Sequence, residues 1–61
     1  KALIDKGLDA LVPAHKEVII LYYIEELSYQ EISDILQVPV GTVGVRLRRA
    51  RQALKDYVER N

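Results

Sequence analysis

Sixty-one residues with nine basic and nine acidic side chains make a short, formally neutral chain, long enough for one small domain with a marginal core. It contains no cysteine, which excludes disulfide staples and thiolate metal sites, and its single histidine, His15, cannot make a zinc site alone; neither a metal nor a cofactor is expected. The apolar run at 18–24 ends at Glu25 and Glu26, far short of the ~18–20 residues of a membrane span, and the chain is expected to be soluble and cytoplasmic.

Leu3, Ile4, Leu8 and Leu11 recur at helical spacing and predict a first helix over 2–11. It ends where Pro13 removes a backbone donor and restricts Val12. Pro13 then suits the first turn of a second helix over 13–26, with Val18, Leu21 and Tyr22 toward the core and Lys16 and Glu17 in water. The Val, Ile and Tyr residues at 18–24 also fit a buried strand, but nothing else in the chain would pair with one. Ile19, Ile20, Tyr23 and Ile24 exceed what one side of such a helix can bury, which leaves apolar surface for a protein partner.

Ser28 followed three residues later by Glu31 is a capping-box pattern, and it predicts a third helix over 29–36 with Ile32, Ile35 and Leu36 as its apolar stripe. Gln37-Val38-Pro39 interrupts that pattern. A fourth helix follows over 40–58, with Val43, Leu47, Ala50, Leu54 and Val58 on one face. The chain is therefore expected to be all-α, a single four-helix domain spanning residues 1–61. Its last two helices, a short one and a long one joined by three residues, form a helix-turn-helix. Val43, Leu47 and Leu54 should be buried against Ile32, Ile35 and Leu36. The chain has no initiator Met and opens inside a helical pattern at Lys1, so it is expected to be a piece of a longer protein.

The neutral total conceals a strong asymmetry. Residues 1–45 carry three lysines against seven acids, and residues 46–61 carry six basic side chains against two acids, about −4 followed by about +4. Arg46, Arg48, Arg49 and Arg51 fall within six residues, and no Asp or Glu on the fourth helix precedes Asp56, so i,i+4 pairing does not account for the cluster. A merely solvated helix face would mix its charges, whereas this run reads as a surface that meets DNA.

Rotation of about 100° per residue, with Val43 as the core direction, keeps Leu47, Ala50 and Leu54 within about 40° of it. Gly41, Val45, Arg48, Arg49 and Gln52 then point outward, and Arg46 and Arg51 lie on the flanks. Val45, Arg48 and Arg49 are accordingly the expected base-contacting residues in a major groove, Val45 against a thymine methyl. Arg46 and Arg51 are expected on phosphates, together with Thr42 at the helix entrance and the hydroxyl of Tyr29. Tyr22, Tyr23 and Tyr57 read as packing at the edge of the core, and His15 as a surface or interhelix contact. The acids surround no nucleophile, glycine loop or metal-ligand pattern, so no catalytic residues and no enzymatic activity are expected.

Leu11-Val12-Pro13-Ala14-His15-Lys16-Glu17-Val18, the phrase Leu27-Ser28-Tyr29-Gln30-Glu31-Ile32-Ser33-Asp34-Ile35-Leu36, then Val38-Pro39-Val40-Gly41-Thr42-Val43 and Arg46-Leu47-Arg48-Arg49-Ala50-Arg51 together resemble region 4 of sigma factors. The resemblance is to the extracytoplasmic-function group of the sigma-70 family. It implies a monomeric domain that recognises the −35 element of double-stranded bacterial promoter DNA and docks on the flap of the RNA polymerase β subunit, with an anti-sigma factor as a further partner. Glu26 and Gln37 stand where that family usually has glycine at the ends of the second and third helices. If left-handed, each costs about 1 kcal/mol relative to glycine. Gly44-Val45 replaces the usual Lys or Arg followed by Ser, which removes a groove contact and costs about another 1 kcal/mol of helix propensity. Two other functions remain open: a protein-interaction module with weak DNA binding, and a response-regulator output domain, which also uses a helix-turn-helix.

Overall fold

Prolines and a serine divide the chain into helices. The computed structural model describes residues 2–60, with side chains from Asp5 onward, so Leu3 and Ile4 of the expected first apolar stripe lie outside the described side chains. Helix α1 spans Ala2–Ala10. Val12 is extended (φ −61°, ψ 151°) ahead of Pro13, as the proline ring requires of the residue before it. The Val12 carbonyl accepts from the N–H groups of His15 and Lys16 at 3.0 Å each, which starts α2, Pro13–Ile19.

The second helix does not run as a regular α-helix to residue 26. After Ile19 it widens into a π-helical turn, Ile20–Ile24, in which the Glu25 N–H reaches back to the Ile20 carbonyl at 2.9 Å and the Leu27 N–H to the Leu21 carbonyl at 3.1 Å. Glu26 then adopts a left-handed conformation, φ 58°, which a helix cannot continue. Val18 and Ile19 are buried, while Tyr23 and Ile24 are 50% and 60% exposed.

Helix α3, Tyr29–Leu36, carries the complete capping box: the Ser28 hydroxyl accepts from the Glu31 N–H at 3.1 Å and the Glu31 carboxylate accepts from the Ser28 N–H at 2.8 Å. Two of the four orphan donors of the helix start are thereby satisfied. Helix α4, Val40–Arg60, has 21 residues. At about 1.5 Å per residue it is about 32 Å long, so it alone accounts for the 34 Å long axis of the molecule.

All other helices pack on α4. Leu8 of α1, Val18 and Ile19 of α2 and Ile32 of α3 join Val43, Leu47 and Ala50 in a buried cluster, with Leu11, Leu21, Tyr22, Leu27, Leu36, Val38 and Leu54 half-buried around it. α1 comes close to the C-terminal half of α4 through Gly7. A Cβ built there would stand 2.5 Å from Leu54 Cδ1 and 3.2 Å from Tyr57 Cδ2, so the buried glycine sets the helix separation. Lys16 and Asp9 tie α1 to α2 at 2.8 Å on the surface, where such a pair adds little.

Ile35 corrects the expected stripe. It is 56% exposed, whereas Ser33 is 8% exposed. α3 turns its Ile32–Ser33–Leu36 side inward because the Ser33 hydroxyl donates to the Val38 carbonyl at 2.5 Å. A hydrophobic pattern assigns Ile35 to the core because it cannot register a serine that closes the following turn.

Leu47, fully buried on α4, is expected to cost about 2–5 kcal/mol on substitution by Ala, enough to unfold much of so small a domain; thermal unfolding followed by circular dichroism checks this. Glu26→Gly relieves a left-handed backbone at the expense of a freer unfolded chain and is expected to raise stability by about 0.5–1 kcal/mol. The readout is a higher urea midpoint at an unchanged m-value.

Candidate nucleic-acid interface

The turn between α3 and α4 is built around Ser33. Its carbonyl accepts from the N–H groups of Gln37 and of Val38, the latter at 3.2 Å, and its hydroxyl caps the Val38 carbonyl. Gln37 takes the left-handed position, φ 58°, and its side-chain amide donates to the Asp34 carbonyl at 2.6 Å. This is a Schellman-type end on a residue other than glycine. Sequence reasoning does not single out Ser33; its signal is no more than a small polar residue between two apolar ones on a helix flank.

With the turn closed, α4 starts at Val40, and the Pro39 carbonyl accepts from Thr42 and Val43 N–H at 2.9 and 3.3 Å. Thr42 is half-buried there, beside first-turn N–H groups that have no intrahelical acceptor. Burial of Val43, Leu47 and Ala50 fixes the rotation of the helix, and it leaves Gly41, Arg48, Arg49 and Gln52 exposed and Arg46 half-buried. Val45 is also half-buried, less open than rotation alone predicts. Long side chains on a helix lean toward its N-terminus and shade a small residue one turn before them.

Among the described residues, the side chains of Arg46, Arg48 and Arg49 make no ion pair and no hydrogen bond. Each guanidinium has five N–H donors, and on these three none is taken by a partner among the described residues. The carboxylate of Asp56 is engaged by Gln52 Nε2 at 2.9 Å and that of Glu59 faces Lys55 at 4.0 Å.

Arg51 behaves differently. Its guanidinium donates to the Tyr23 hydroxyl at 3.0 Å, and this bond, partly offset by slight burial and helped by Tyr23 and Tyr29 as neighbours, raises its pKa further. Tyr23 is thus bound to the basic helix. The rings of Tyr22 and Tyr23 meet edge to face at 4.9 Å and those of Tyr22 and Tyr29 at 5.4 Å, a geometry aromatic pairs favour. The Tyr29 ring lies over Gly44, where a Cβ would come within 3.5 Å of Tyr29 Cε2, an ordinary contact. The start of α3, the π turn and α4 therefore meet in one aromatic cluster with Arg51 at its edge.

Beside this cluster lies a groove of about 570 Å³ lined by Leu8, Ile19, Tyr23, Ile24, Leu54 and Val58 together with the charged Arg51, Lys55 and Glu59. Of the apolar side chains expected to be left over by the second helix, Tyr23 and Ile24 are exposed, Ile20 is half-buried and Ile19 is buried. Among the described residues no His, Cys, Asp and Glu cluster suits a metal ion, and no helix is long and apolar enough to cross a membrane.

Residues 1–54 match the model of the family described as Sigma-70, region 4. The ECF RNA polymerase sigma factor SigE of Mycolicibacterium smegmatis is 44% identical over 55 residues, covering 90% of this chain and 21% of that protein. SigW, an ECF RNA polymerase sigma factor of Bacillus subtilis, is 54% identical over 44 residues, 72% of this chain and 24% of its own. The ECF RNA polymerase sigma-E factor of Escherichia coli is 34% identical over 59 residues, 97% of this chain and 31% of its own. The chain thus spans between about a fifth and a third of the length of these curated relatives. Arginines on the open side of a helix-turn-helix, the matched region and these relatives agree: the chain belongs to the sigma-70 region 4 family.

Proposed function

We propose that the chain is the promoter-reading domain of a sigma factor, a single region 4 unit that directs transcription initiation by binding the −35 element of double-stranded DNA through α4. The observation that carries this is the trio Arg46, Arg48 and Arg49, unpaired within the described residues on a helix whose opposite side is the core. A solvated face would gain by pairing some of these charges with its own acids, and this one leaves them open.

In this reading Arg48 and Arg49 supply bidentate donors to base edges in the major groove, and Val45 meets a thymine methyl. Arg46 and Arg51 hold phosphates on either side, Thr42 and the first-turn N–H groups of α4 take a phosphate at the helix entrance, and the Tyr29 hydroxyl takes another. The domain works as a monomer in the cytoplasm, with no catalytic residue and no cofactor. Its groove beside Ile24 suits the flap of the RNA polymerase β subunit, and an anti-sigma factor that covers the same surface would block transcription. The relatives named as RNA polymerase sigma factors support this assignment.

Fluorescence anisotropy with a set of duplexes at several salt concentrations separates the roles. Arg46→Ala is expected to weaken all sequences alike and to reduce the salt slope by about 0.9, the share of a single phosphate. Arg48→Ala and Arg49→Ala are expected to flatten the preference among sequences, by about 1–3 kcal/mol for each bidentate pair. If all three are silent, α4 does not enter DNA and the domain is a protein-interaction module.

Gly44 offers an independent test, because a Cβ there fits against Tyr29. Gly44→Lys is expected to raise stability by about 1 kcal/mol through helix propensity and to tighten DNA binding through an added charge on the flank. Gly44→Ala, the control, should raise stability alone. Thermal unfolding and the same anisotropy titration read both effects.

A further inference from the structure

Arg51 is the one arginine of the basic run that an intramolecular partner already holds among the described residues. It stands at about 80° from the Val43 direction and Gly44 at about 100°, so Arg51 lies two turns beyond the glycine that Tyr29 covers, on the same flank of α4. Its guanidinium donates to the Tyr23 hydroxyl at 3.0 Å. The Tyr23 ring is braced against Tyr22, and Tyr22 against Tyr29. A long, exposed arginine would otherwise sample many rotamers. Here the Tyr23 hydroxyl, on a ring braced by Tyr22, limits it.

We propose, on the footing of the DNA-binding function above, that Tyr23 is a positioning residue: its hydroxyl holds the Arg51 guanidinium at the edge of the tyrosine cluster, in place to meet a backbone phosphate. Tyr23 uses one N–H of five and leaves the others for the phosphate oxygens. A hydroxyl acceptor, unlike a carboxylate, holds Arg51 without forming an ion pair. Preorganising one rotamer-rich side chain spares its ordering cost on binding. The tyrosine thus raises affinity without touching DNA and without favouring any base sequence.

The test uses the full chain and a random-sequence 20-base-pair duplex, with affinity measured against salt for wild type, Tyr23→Phe, Arg51→Ala and the double variant. Tyr23→Phe keeps the ring and its packing, and unchanged helicity by circular dichroism confirms the fold. It is expected to weaken binding about 2–10-fold, the ordering cost of one side chain, while the salt slope stays at the wild-type value. Arg51→Ala is expected to weaken binding and to lower the slope by about 0.9. The double variant should bind like Arg51→Ala alone, because the hydroxyl acts only through the arginine.

A Tyr23→Phe variant that binds as well as wild type or better overturns the proposal. So do effects that multiply in the double variant, which would make Tyr23 a general support of the fold. If Tyr23→Phe and Arg51→Ala are both silent while Arg46→Ala, Arg48→Ala and Arg49→Ala weaken binding, this inference fails and the DNA-binding function stands. If all five are silent, both fail together.

Discussion

One inward stripe on α4 governs the molecule. Val43, Leu47 and Ala50 are fully buried, and α1, α2 and α3 all find their apolar cover there. A helix long enough to span the whole domain has two sides with different fates. Once the stripe at 43, 47 and 50 is committed to the core, rotation of about 100° per residue leaves no freedom in where Arg48 and Arg49 point. The hydrophobic contact that folds the chain is thus also what aims its charges outward.

Around that axis the chain accepts several local departures from ideal geometry. Glu26 and Gln37 each hold a left-handed backbone without being glycine, and the second helix ends in a π turn. Both left-handed residues end a helix where the next must start at a set angle, and Gln37 recovers part of the strain by donating a hydrogen bond from its side-chain amide to the Asp34 carbonyl. The π turn leaves Ile24 and Tyr23 open at the rim of the groove. Tyr23 there reaches Arg51 of α4. The groove and the basic helix consequently share a boundary, drawn by side chains from two elements.

Much of the architecture is legible in the order of residues alone. Proline at 13, the Ser28–Glu31 box and the interruption at 37–39 are local signals that act within a few residues, and the helix starts they predict are the ones found. Nothing local marks the glycine at 7, because its role depends on Leu54 and Tyr57, nearly fifty residues on. Periodicity places Ile35 in the core, although Ser33 holds that place through a bond to Val38. It also carries the second helix to 26, because a strong apolar run does not announce a change to i→i+5 bonding.

The helix starts, the side of α4 that must be buried and the concentration of arginine on the remainder all follow from propensity, spacing and charge counted along the chain. The same counting ranks Arg46 and Arg51 as matching flanks, since rotation treats them alike. Packing tells them apart. Arg51 is held by Tyr23 of the π turn, while Arg46 has no such partner among the described residues. The physical reason is that a side chain's neighbours across a helix interface come from distant positions in the chain, and their approach is decided by packing that no local pattern encodes.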